Sequence, residues 1–319
     1  MKVLFITLSN IGDAVLTTPA LRAIVENFKN AEITLIASPR VFSLFNADPY
    51  FKKIIVFKKE ASLGKKMALI KTLRGEDFDL LVDFKNTMLP FLLYAKNKTP
   101  IFKKPPVYIK HMKDRHMWKL RQALVGIPDK EYQPMIYLSD DVSAESIKIL
   151  KLNGISEGDS IIAVAPGARS HTKQWTPGGF LEVIKRSAAE LGCKVVLIGD
   201  QQDCRICAKI MQEAENGVID LCGKTDLKQL ACILKNSKLL VTNDSAPMHI
   251  AWAVGTPIVA IFGPTNHEKY GPTGKKDIII RKPLPCSPCQ SALCIKDNEC
   301  MRNISADEVF QAVRNILKT

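Results

Sequence analysis

The chain has 319 residues, of which 46% are hydrophobic and 24% charged. That mixture excludes a disordered or fibrous protein, and at roughly 100–200 residues per domain it has room for two cores. The formal net charge of +13 is uneven: residues 1–155 carry 25 Lys and Arg against 15 Asp and Glu, the remainder 20 against 17. Such a field favours anionic partners.

Val3–Leu8 is a short apolar run of the buried-strand type. It is too brief for a signal-peptide core and lacks a small-residue cleavage site, and no stretch approaches the ~20 apolar residues of a membrane helix, so a cytoplasmic protein is expected. Ser9-Asn10-Ile11-Gly12-Asp13 breaks the strand, and Ala14–Phe28 then repeats apolar residues at helical spacing, with Pro19 starting or kinking the helix. Ile33–Ala37, Ile54–Phe57 and Leu80–Phe84 read as further strands. Apolar strands alternating with helices imply parallel sheets covered on both faces. Residues 96–135, rich in Lys, Pro and His and weakly periodic, read as a surface region near an interdomain cleft. Ser139–Leu152 reads as a helix and Gly154–Asp159 as a turn, which places the domains at 1–155 and 156–319.

The second half repeats the alternation. Ile161–Ala165, Val195–Ile198, Val218–Leu221, Leu239–Thr242 and Ile258–Phe262 read as strands. Pro177–Leu191, Asp203–Glu215, Asp226–Lys235, Ala246–Val254 and Ala306–Lys318 read as helices, the last opened by a capping box of Ser305 and Glu308.

Ligands of open α/β sheets bind beyond the carboxyl ends of the strands, so the loops that leave strands carry the chemistry. In the first, Gly12 admits close backbone approach, and Asp13 reads equally as a general base and as a helix cap. No GxGxxG follows this strand, which removes the nicotinamide-dinucleotide fingerprint. In Pro166–Trp175, Arg169 and Lys173 either offset the charge of a diphosphate or form an exposed basic loop. In Thr242–His249, the helix start suits a pyrophosphate. Here Asp244 and Ser245 have capping as their alternative use, and His249 has packing. Gly263-Pro264-Thr265 is a weaker fourth wall. Asp77-Phe78-Asp79 looks like a metal-binding DxD, but it leads into the amino end of a strand, away from the ligand edge.

Gly12-Asp13-Ala14-Val15 with Thr18-Pro19-Ala20-Leu21, Pro166-Gly167 with Lys173-Gln174-Trp175, Asn243-Asp244-Ser245 with His249, and Phe262-Gly263-Pro264-Thr265 resemble glycosyltransferase family 9, the heptosyltransferases of lipopolysaccharide inner-core synthesis. The motifs fall in the family's order and span nearly the whole chain. The resemblance implies a GT-B architecture of two Rossmann-like domains facing each other across a cleft, the first for the acceptor and the second for a nucleotide sugar, with the last helix (about 305–318) packing back on the first. It implies inverting transfer that needs no metal or other cofactor. Asp13 would be the base, beside Asn10 and Gly12 on the acceptor side. Lys173, Asp244, Ser245, Ala246 and His249 would meet the donor, with Arg169 joined to them by its own basic loop position, and an acidic residue within Gly199–Asp203 would meet the nucleoside. The implied partners are ADP-heptose, an anionic lipopolysaccharide precursor (Kdo-lipid A or its heptosylated form), and the inner face of the inner membrane, held peripherally. Another nucleotide sugar for a cell-surface glycan is the alternative. Nucleic acid is not expected, because the basic residues are spread rather than interleaved with aromatics.

Two departures stand out. Thr7 lies where the family commonly carries a basic residue, and Ala168 and Ala246 stand in the donor loops. Cys286-x2-Cys289-x4-Cys294-x5-Cys300 could hold a structural metal or consist of free thiols or a labile disulfide. The spacing is not that of a standard zinc ribbon.

Overall fold

Short runs of Ile, Leu and Val form the middle of two parallel sheets, one in each of two units, Met1–Tyr137 and Leu138–Thr319. The computed structural model describes residues 1–58, 60–214 and 217–318.

The first unit runs β1 (Lys2–Ile6), α1 (Ile11–Val15), α2 (Thr18–Asn27), β2 (Glu32–Ala37), α3 (Pro39–Phe45), β3 (Phe51–Val56), α4 (Leu63–Arg74), β4 (Phe78–Asp83), α5 (Leu89–Leu92), β5 (Ala95–Lys98) and α6 (Met112–Ala123). Its sheet order is β3-β2-β1-β4-β5, all parallel. β1 is buried from Val3 onward, as a strand covered on both faces must be.

The second unit runs α7 (Asp140–Leu152), β6 (Ile161–Ala165), α8 (Pro177–Leu191), β7 (Lys194–Leu197), α9 (Cys204–Glu213), β8 (Val218–Asp220), α10 (Leu227–Lys235), β9 (Leu239–Asn243), α11 (Ala246–Val254), β10 (Ile258–Phe262), α12 (His267–Tyr270), β11 (Ile278–Arg281), α13 (Glu299–Arg302) and α14 (Ala306–Lys318). Read from β8, its sheet order is β8-β7-β6-β9-β10-β11, the doubly wound order of a dinucleotide fold. β6, β9 and β10 are buried at every residue.

Several expectations change. The single helix from Ala14 is two: the Pro19 ring lacks the N–H that would continue α1, and the Thr17 and Thr18 hydroxyls donate to the Ala14 and Val15 carbonyls instead, both at 2.7 Å. The stretch 96–135 holds the end of edge strand β5 and all of α6. α6 buries Lys113, His116, Met117, Leu120 and Ala123, and the Lys and His on that face hide its periodicity. α3, α4 and β11 also form without having been anticipated. The break between units falls before α7 rather than near residue 155, because α7 packs on α10. Its Ser146 and Leu150 are buried, and the Ser143 hydroxyl lies 3.8 Å from the Cys232 sulfur. α9 ends at Glu213, and Glu215 lies outside the described residues.

α14 packs on α8 and on β9, β10 and β11 of its own unit. The Arg186 guanidinium lies 4.0 Å from the centre of the Phe310 ring. The expected capping box forms: Glu308 N–H donates to Ser305 Oγ at 3.2 Å, and Ser305 N–H donates back to the Glu308 carboxylate at 2.9 Å. Among the described residues no helix is long and apolar enough to cross a membrane.

Candidate active site

In each sheet the first strand has its chain successor on one side and a later strand on the other. The carboxyl ends there splay apart and leave a crevice. In the first unit this switch lies between β1 and β4, in the second between β6 and β9.

At the first switch, Asn10 takes the N-cap position of α1 in extended conformation, so Asp13 is not the cap. Asp13 lies one turn in, half-buried, and its Oδ2 accepts a hydrogen bond from the Asn10 carboxamide at 3.0 Å. Gly12 lies between them. Thr7 is buried, with its hydroxyl 3.0 Å from that of Thr17, so it offers no charge to this edge. A lysine the sequence reading passed over does: Lys119 on α6 donates through Nζ to the Asp83 carbonyl and to Asn86 Oδ1, both at 2.6 Å. Burial lowers the Lys119 ammonium below its ordinary range, while Asp83 pulls it back. The Asp83 carboxylate is consumed by the turn, accepting from Lys85 N–H, Thr87 N–H and the Thr87 hydroxyl. Asp79 of the DxD-like sequence pairs with Lys96 at 2.6 Å and accepts from Lys2 N–H at the opposite, amino end of β4.

At the second switch, Asn243 ends β9 fully buried and joins it to the loop after β6. Its Oδ1 accepts from Trp175 N–H at 3.0 Å, and its Nδ2 donates to the Pro166 carbonyl at 2.8 Å. The Trp175 indole is buried against Phe180, with ring centroids 5.0 Å apart, and donates to the Ile304 carbonyl at 3.0 Å. It fits because Gly179 has no side chain; a Cβ there would run into the ring. So clamped, the loop delivers Lys173 to Asp244, Nζ to Oδ2 at 2.7 Å, with Asp244 buried and Lys173 about one-third exposed. Ser245 is the N-cap of α11 but makes no side-chain cap, its hydroxyl lying 3.2 Å from that of Thr242. Ala246 opens the helix, and His249 is buried one turn in. Arg169 is exposed on the same loop as Lys173.

The β7 loop carries two acidic residues, Asp200 and Asp203, and Asp203 is the one turned toward the loop after β6. Its carboxylate accepts from Asp200 N–H at 3.0 Å and presses on Gly167, where a Cβ would collide with it. Burial raises its carboxyl above the usual range, and the neighbouring Asp200 charge adds to this. The loops after β6, β7 and β9 thus meet at one sheet edge through Gly167, Asp203 and Asn243.

Cys286, Cys289 and Cys294 are exposed and Cys300 is buried, all as free thiols. Among the described residues, the group that brings three candidate metal ligands within 4.8 Å of one another is a different one: Cys207, Asp220 and Cys222.

Two parallel doubly wound units, each with its polar residues at a switch point, define the class: an α/β protein of the GT-B type. The sequence pattern of glycosyltransferase family 9 (heptosyltransferase) matches residues 101–299, and the chain belongs to that family. It is therefore a glycosyltransferase. It is 28% identical to a lipooligosaccharide heptosyltransferase 2 of Campylobacter jejuni over 313 residues, 96% of each chain. Its fold is similar to that of a family 9 glycosyltransferase from Veillonella parvula, with a TM-score of 0.86 at 22% identity over 100% of this chain and 97% of that one. It is also similar to the ADP-heptose lipopolysaccharide heptosyltransferase II of Escherichia coli, with a TM-score of 0.80 at 20% identity over 100% and 99%.

Proposed function

We propose that the protein transfers heptose from ADP-heptose, with inversion, to an anionic inner-core acceptor of lipopolysaccharide, Kdo-lipid A or its heptosylated form, with Asp13 as general base. The observation that carries this reading is the Lys173–Asp244 pair, clamped by Asn243 and Trp175 at the head of α11. The positive end of a helix and a positioned ammonium together neutralise a departing diphosphate without a metal. Lys173 supplies the charge, Asp244 holds it in place, and Arg169 and Ser245 add donors nearby. Ala246 gives the diphosphate close access to the helix start, and His249 lines its first turn. Asp203 would meet the nucleoside.

Inversion asks one further thing of the protein: a carboxylate to take the proton from the attacking hydroxyl on the face opposite the leaving group. The Asn10 carboxamide orients Asp13 for that work. The surplus of positive charge in residues 1–155, with Lys119 beside the same switch, suits a phosphorylated acceptor at the inner leaflet, where the protein would bind peripherally. A different nucleotide sugar is the second reading, favoured by the alanines at 168 and 246 in the donor loops.

Purified protein incubated with truncated lipopolysaccharide acceptors and, in parallel, ADP-heptose or UDP-, GDP- and CMP-sugars separates the two by mass spectrometry. The account expects acceptor mass to rise by one heptose with ADP-heptose. A gain seen only with a non-adenine sugar would overturn the donor assignment.

A further inference from the structure

Between β11 and α13 the chain runs for seventeen residues, 282–298, without helix or strand. Little apolar burial holds it: Leu293 is 77% and Ile295 99% exposed. Yet it is tied down at several points. Ser287 Oγ donates to the Gly263 carbonyl at 2.7 Å and Gln290 N–H to the Pro264 carbonyl at 2.8 Å, both just beyond β10. Thr172 Oγ1 donates to the Ser291 carbonyl at 3.3 Å. The segment carries Cys286, Cys289 and Cys294, and Cys300 follows in α13.

All four cysteines line one cavity of about 20 Å³. A void of roughly 10–15 Å³ already admits a water molecule, so this one has room for a single ion. Asn298 N–H donates to Cys294 Sγ at 3.3 Å, the kind of outer hydrogen bond that supports a thiolate ligand. Glu299 also lines the cavity; four thiols suffice for a closed, soft, tetrahedral site without it. No three of these sulfurs lie within 4.8 Å of one another, so binding draws the exposed loop inward to metal–sulfur bonds of about 2.3 Å.

We propose that Cys286, Cys289, Cys294 and Cys300 bind one zinc or ferrous ion as a structural four-thiolate site, which staples residues 282–298 to α13 and to the residues that follow β10. The site takes no part in transfer. Through the Thr172–Ser291 hydrogen bond it steadies the loop that carries Lys173. The competing group, Cys207, Asp220 and Cys222, has only two thiols, and Cys222 Sγ already donates to the Asp200 carbonyl at 3.2 Å.

The test is metal stoichiometry by mass spectrometry on the full chain, purified anaerobically without a metal-affinity step, alongside the absorption spectrum after cobalt loading. It is run on the wild type, on Cys286→Ser/Cys289→Ser and on Cys207→Ser/Cys222→Ser. One equivalent of zinc or iron is expected in the wild type, with intense tetrahedral cobalt–thiolate bands. Both should persist in the Cys207→Ser/Cys222→Ser protein and vanish in Cys286→Ser/Cys289→Ser. A chelator should lower the melting temperature of the wild type but not of Cys286→Ser/Cys289→Ser. A wild type that takes up none of these ions, shows no thiolate bands with cobalt, or keeps its metal without Cys286 and Cys289 would overturn the proposal. Even if a variant fails to fold, the intensity of the wild-type cobalt–thiolate charge-transfer band separates four sulfur ligands from two; an intensity matching two would overturn the proposal.

Discussion

Asn243 shows how much of the donor side rests on one buried carboxamide. It accepts from Trp175 and donates to Pro166, so both ends of the loop after β6 are fixed to the end of β9. Lys173 and Asp244 meet because of it. These residues were visible in the sequence as part of a motif, but the role of Asn243 as a clamp was not, since nothing in a string of letters shows which backbone groups a side chain must satisfy. His116 was hidden for a related reason: a histidine in a weakly periodic stretch gives no sign that it is core. It lies against Phe84, ring centroids 4.7 Å apart, with Nε2 buried and without a hydrogen-bond partner. Burial, with the Lys119 and His111 charges adding to it, lowers the imidazolium to about 3 from the ordinary 6.5. The unfolded chain therefore binds a proton in a range where the folded protein does not. Stability is complete above about pH 6.5 and is lost as pH falls below that value. The loss should amount to about 2 kcal/mol by pH 5. Denaturant unfolding of the wild type and of His116→Phe across pH 5–7.5 should show a shallower pH dependence in the variant; equal slopes would refute the assignment.

Among the elements, those with long apolar runs were legible: β1, β6, β9 and β10, and helices such as α8 and α14 with a clear apolar face. β5, of sequence Ala-Lys-Asn-Lys, is strand by pairing rather than by composition, because it lies at the sheet edge with three exposed residues. α6 was missed because its buried stripe includes Lys113 and His116. The α8 start tests the packing account. Gly178 and Gly179 are adjacent in its first turn, but only Gly179 faces Trp175, while a Cβ at 178 meets nothing. Gly179→Ala should destabilise the protein by ~1–3 kcal/mol through overpacking. Gly178→Ala should be neutral or stabilise by up to ~1 kcal/mol, as alanine outranks glycine inside a helix. Chemical denaturation of the two variants side by side checks this; equal effects would show that the Trp175 anchor does not depend on the missing side chain.

Over the whole molecule, two units of the same winding carry different equipment. The first has a carboxylate and a surplus of lysines; the second has a lysine–aspartate pair at the start of a helix. That division was readable from the order of the motifs, whereas the break between units was not: α7 follows the first unit in sequence but packs on α10, and only contacts reveal that. The central claim is that the second unit holds the donor and the first supplies the base. Asp13→Asn keeps the size of the side chain and removes its proton acceptor. The account predicts that kcat falls by at least ~100-fold. Donor affinity, measured by calorimetry on the same protein, should stay within about twofold of wild type. Turnover near the wild-type rate, or donor binding lost along with it, would contradict the account.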